Sequence, residues 1–156
     1  MRCPARGRAI GINDRGLVTG VYTDPATGDL LSFVMERGVL TTGISFPGAT
    51  ITALGPANNR GVEIGNYGDD TDQRAVLHDV RSGAFTSLPE IPGMPLNEGN
   101  SINDAGHAVG NAYAGGDERR SKGAAVACRL NDCPQRRQAT AGKFLSRQRR
   151  QVRMAA

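Results

Sequence analysis

The chain has 156 residues, 38% of them hydrophobic and 4% aromatic, with 21 Gly and no Trp; it is long enough for one domain but supplies few large side chains for a core. No run of about eighteen apolar residues occurs, so no helix spans a membrane, and the opening "MRCPARGRAIGIND" lacks the apolar stretch of a secretory leader. The net charge of +4 is local, because residues 1–127 carry 11 Lys or Arg against 14 Asp or Glu and residues 128–156 carry 8 against 1; a nucleic-acid-binding body is therefore not expected, only a basic arm.

Residues 1–8 read as an N-terminal extension. A first short strand is expected to end at Ile12, and a second to run from Leu17 to Tyr22. Between them "NDRG" supplies Asn and Asp, which bond to their own nearby backbone, and a glycine that accepts positive φ. That composition predicts a type I turn at Asn13-Asp14, closed by a left-handed Gly16. A hairpin follows from Phe33–Met35 to Val39–Thr42 around "ERG". Pro47-Gly48 then interrupts the ladder, since Pro lacks the donor that a central strand needs, and a strand resumes over Ile51–Leu54.

The phrase then returns. Asn58-Asn59-Arg60-Gly61 and Asn103-Asp104-Ala105-Gly106 stand 45 and 90 residues after Asn13-Asp14-Arg15-Gly16, and Gly65 and Gly110 fall in step with Gly20. Pro92-Gly93 answers Pro47-Gly48, and "SGAFTS" answers "RGVLTT". Four short strands per period of about 45 residues predict an all-β, β-propeller-like array of four-stranded antiparallel repeats over residues 9–127, incomplete at two to three blades. Regularity stops after Ala127. Residues 128–156, rich in Arg and Gln with little strand pattern, read as a basic, disordered tail. A truncated or frameshifted piece of a longer gene product is the expected origin of that break, and open sheet edges are expected to favour self-association.

"GINDRGLVTGVYTD", "FPGATITALGPANNRGVEIGNY" and "IPGMPLNEGNSINDAGHAVGNAY" resemble the HAF-repeat family of bacterial extracellular proteins across about residues 9–127. The family's His-Ala-Phe signature is replaced by Ser32-Phe33-Val34, Ala75-Val76-Leu77 and Ala124-Ala125-Val126. The resemblance implies propeller-like repeats, a secreted or surface-exposed setting, and no catalytic residues to carry over.

Chemistry is sparse. P-loop, dinucleotide, zincin and nucleophile-elbow motifs are missing, so neither an enzyme nor a bound cofactor is expected. His107 takes the strand position of Leu17 and Val62. His78, beside Asp79 near a hairpin tip, is expected on an exposed polar face. Ser101, Asp104 and His107 crowd one small turn, whereas a triad needs a base oriented by a buried partner. Asp69, Asp70 and Asp72 in one loop, and Asp24 and Asp29 in its counterpart, offer oxygen atoms without the spacing of a calcium loop; solvated turns are expected. Cys128 and Cys133 lack a second ligand pair for zinc, and Cys3 is left over from any disulfide between them. The loops "TDPATGD", "GDDTDQ" and "AGGDERRSKG" are the least alike parts of the three copies. They are expected on one rim, where carbohydrate or a surface protein would bind. A hydrolase or lyase on the same scaffold is the rival expectation, and a gene remnant without independent activity a third.

Overall fold

A computed structural model of the chain describes residues 7–89, 96–112 and 124–129. Pro92, Gly93, Cys3, Cys133, the loop at 114–123 and the tail from residue 130 lie outside these residues. The described residues are all β, in eleven strands, and no helix among them is long and apolar enough to cross a membrane. The first antiparallel meander contains β1 (Gly7–Ile12), β2 (Val18–Thr23), β3 (Leu30–Glu36) and β4 (Val39–Ile44). The second contains β5 (Ile51–Ala57), β6 (Val62–Gly68), β7 (Gln73–Asp79) and β8 (Phe85–Ser87). In the third, β10 (His107–Ala112) lies between β9 (Leu96–Ile102) and β11 (Ala124–Arg129). One parallel pair, Leu30 with Ile51, joins the first meander to the second, and the described strands do not close on themselves.

Several strands outrun their expected limits. β5 continues through Gly55 and Pro56 to Ala57, because its register with β6 shifts between Leu54 and Ala57. A proline in a bulge owes no hydrogen bond to the ladder. Leu17 is not in the strand: it closes the turn, 3% exposed, and β2 begins one residue later. The two expected hairpin tips also differ from each other. Arg37 and Gly38 both have positive φ, 52° and 80°, as a two-residue type I′ turn requires. The β7–β8 connection is instead a four-residue loop in which Gly83 N donates to Asp79 O and Asp79 N donates to Ala84 O.

The meanders stack through their first strands: β5 packs on β1, β2 and β3, and β9 packs on β5, β6 and β7. Side-chain alternation decides what meets there. In the first meander, the face carrying Thr19 and Ser32 is tied to β5 by polar bonds. Thr19 Oγ1 donates to Gly55 O at 2.7 Å, Ser32 Oγ donates to Thr52 O at 2.8 Å, and the same oxygen accepts from Leu54 N at 2.8 Å. Between the second and third, the contact is apolar, with Ile64, Ala75, Leu77 and Leu88 packed with Ile102, Ala108 and Ala112.

Candidate functional site

The turns signalled by Asn-x-x-Gly are framework. Gly16, Gly61 and Gly106 have φ of 75°, 83° and 79°, and each donates its amide to the carbonyl of Asn13, Asn58 or Asn103. Asn13 Oδ1 accepts from Arg15 N and Leu17 N, Asn58 Oδ1 from Arg60 N and Val62 N, and Asn103 Oδ1 from His107 N. The side-chain amides of Asn13 and Asn58 reach sideways, whereas that of Asn103 lies 3.3 Å from His107 Nδ1 of its own turn. Asn13 Nδ2 donates to Asn58 O at 2.8 Å, and Asn58 Nδ2 donates to Asn103 O at 3.1 Å. Alongside, Asn59 Nδ2 bridges the carboxylates of Asp14 and Asp104 at 2.8 and 2.9 Å. Hydrogen bonds from the Asn59 backbone and side chain hold the Asp104 carboxyl below its usual range.

The acidic loops are self-satisfied. Asp24 accepts from Ala26 N and Thr27 Oγ1, and Asp29 O accepts from Asp24 N. Asp69 Oδ1 accepts from Thr71 Oγ1, Thr71 N and Asp72 N at 2.7–2.8 Å; these bonds, the Thr71 hydroxyl first, lower its pKa. Asp70 is exposed, and Asp72 lies 3.4 Å from Arg74. Among the described residues no three His, Cys, Asp or Glu side chains are grouped to hold a metal ion. Backbone bonds link the segments beside the two loops: Leu30 N donates to Thr50 O, and Thr50 N donates to Gly68 O.

Beside the second loop lies an open hollow of about 370 Å³, lined by Phe46, Thr50, Tyr67, Asp69, Asp72 and Arg74 among others. Its aromatic wall follows from the Pro47-Gly48 turn. Gly48 has φ of 80°, Ala49 N donates to Phe46 O, and Thr52 Oγ1 accepts from Phe46 N at 2.9 Å, so the segment doubles back and lays Phe46 over the sheet. Phe46 stacks on Tyr67 with ring centroids 3.7 Å apart, while Phe85 meets Phe46 edge-on at 5.4 Å. Tyr67 OH is 3.2 Å from Ser87 Oγ. An aromatic wall, two carboxylates and a guanidinium around one open hollow can stack on the apolar face of a small polyol and hydrogen-bond its hydroxyls.

His78 requires a correction: it is buried, 4% exposed, rather than on a polar outer face. β7 continues through it to Asp79, which places it directly across the ladder from Glu63. His78 Nδ1 and Glu63 Oε2 are 2.7 Å apart, Glu63 is fully buried, and its Oε1 has no partner. Burial raises the Glu63 pKa, against the opposing hydrogen bond and charge of His78. The Phe85 ring lies 4.7 Å from the imidazole. His107 opens β10 with its amide on Asn103 Oδ1, Asp104 turns to Asn59, and Ser101 is exposed opposite Val109; the three do not line up as nucleophile, base and orienting acid.

No sequence motif marks Phe46, Tyr67, Arg74 or Glu63 as functional. A signal existed for Glu63 and His78, since Glu63 occupies the place of Val18 and Ala108 in the 45-residue register, and His78 faces it across the ladder as Met35 faces Val18. Two ionisable residues thus replace an apolar cross-strand pair. No protein-family model, curated protein or solved structure matches the chain.

Proposed function

We propose that the chain is a non-enzymatic binding module, a partial propeller-like array of the HAF-repeat, extracellular type, that holds carbohydrate in the hollow between the 46–50 segment and the 69–72 loop. One observation carries the reading: the stacked Phe46–Tyr67 pair stands beside Asp69, Asp72 and Arg74 in an open depression. The self-capping of Asp69 favours a rigid hydrogen-bonding rim over a metal site, because three donors already occupy one of its oxygens. The enclosed position of Glu63 and His78 favours binding over hydrolysis, since general acid–base catalysis needs groups within reach of substrate.

A glycan array probed with the full chain, followed by calorimetric titration of the best ligand, tests this. Tyr67→Ala is expected to weaken binding at least about tenfold, the equivalent of ~1.4 kcal/mol of lost stacking. Replacing residues 69–72 with Gly-Ser is expected to do the same. Binding unchanged by both variants, or no glycan bound at all, would remove the reading.

A further inference from the structure

We infer that the chain associates with copies of itself head to tail, the third meander of one copy seating the first meander of the next. The junction in question is one that the chain already makes twice internally. Positions 19, 64 and 109 are equivalent at 45-residue steps. Thr19 and Ile64 are fully buried where a following meander covers them, whereas Val109 is 43% exposed. The opposite face shows the converse. Ile12, Val18, Met35 and Leu40 form one cross-strand row on the first meander, and Ala57, Glu63, His78 and Phe85 form the corresponding row on the second. In the second meander that row is covered, with Glu63 fully buried and His78 4% exposed; in the first, Ile12 is 73% and Met35 39% exposed. One end of the stack thus presents an apolar row in which Ile12 and Met35 are exposed and Val18 and Leu40 half-buried, and the other end presents the face such a row covers.

The polar ladder runs the same way. Asn13 donates to the Asn58 carbonyl and Asn58 to that of Asn103, while the amides of Asp14 and Asn59 donate to the side chains of Asn59 and Asp104. Continued one step, this register sets Asn103 and Asp104 against Asn13 and Asp14 of a second copy. Two different surfaces meet, so the contact is heterologous and propagates until a ring closes or a filament forms. It uses sheet faces, not the strand edges that the sequence pointed to. The inference rests on the stacking geometry alone and not on the ligand of the hollow.

Sedimentation of the full chain over a concentration series tests it. The wild type is expected to form species larger than one 16.4 kDa chain. Met35→Arg and Val109→Arg, each blocking one end, are expected to be monomeric alone and to give a complex of two chains when mixed, because each retains the end the other lacks. Both substitutions lie outside the lining of the hollow, so sugar binding by the variants separates failure of this proposal from failure of the functional one. Should Met35→Arg lose its β-type circular dichroism, Ile12→Lys blocks the same row. A wild type that stays monomeric at every concentration, single variants that still associate, or a mixture that stays monomeric would overturn the inference.

Discussion

Asn58 does more than shape its turn. The residue is 4% exposed, and its side chain makes three hydrogen bonds, two to its own turn and one to the carbonyl of Asn103. Asparagine suits the place because the oxygen accepts inward and the amide donates sideways. Asn58→Ala leaves two backbone amides and a carbonyl without these partners and is expected to cost about 2–4 kcal/mol, measured as the urea midpoint by circular dichroism. Asn58→Asp keeps the acceptor but turns a carboxylate oxygen towards the Asn103 carbonyl, so it should fall between wild type and alanine. The Asn-x-x-Gly signal was readable because its cause is local. The sideways bond was not, because its acceptor lies 45 residues away.

At the scale of the strands, a column of glycines sets how closely neighbours approach. A Cβ on Gly20, Gly65 or Gly110 would lie 2.4, 2.1 or 2.0 Å from the carbonyl oxygen of Arg8, Ala53 or Glu98, on the strand whose register shifts nearby. Gly65→Ala forces backbone apart and is expected to cost about 3 kcal/mol, whereas Gly16→Ala, with nothing within 4 Å and only its φ of 75° against it, should cost about 1 kcal/mol. Equal losses in thermal unfolding would refute the distinction. The sequence marks these glycines through their spacing but not their reason, which is the bulged partner. Ser32→Ala tests the joint between meanders: it removes a fully buried hydroxyl that both donates to Thr52 O and accepts from Leu54 N, for an expected loss of about 2–3 kcal/mol. Nothing in "LLSFVM" distinguishes this serine from a solvent-facing one.

The molecule as a whole should show a two-sided pH profile of stability. Asp69, Asp79 and Asp104 have pKa values lowered in the folded chain from the ordinary 3.8, chiefly by hydrogen bonds from Thr71, Ser82 and Asn59 respectively. Their contribution is present above 3.8 and lost as pH falls through the folded values. Glu63 acts in the opposite sense. Its folded pKa is raised by burial from the ordinary 4.5, so the native state holds that proton more tightly than the unfolded chain, and the contribution is present below 4.5 and lost as pH rises through the folded value. Denaturation midpoints measured from pH 3 to pH 8 should therefore rise and then decline, and Glu63→Gln should flatten the decline while leaving the acid limb intact. A variant that changes only the acid limb would contradict the assignment to Glu63.

Much of the all-β architecture was decided by the sequence alone. Asn, Asp and Gly bend the backbone through bonds that span two to four residues, and short apolar alternations between bends leave antiparallel strands as the available structure. The stacking was decided only in three dimensions. Whether Ser32 holds β5, whether Tyr67 meets Phe46, and whether His78 is buried against Glu63 all depend on which faces come together, and those partners lie 15 to 22 residues apart. Local hydrogen bonding is written in neighbouring residues; burial and the pKa shifts it causes arise only when one sheet lies over another.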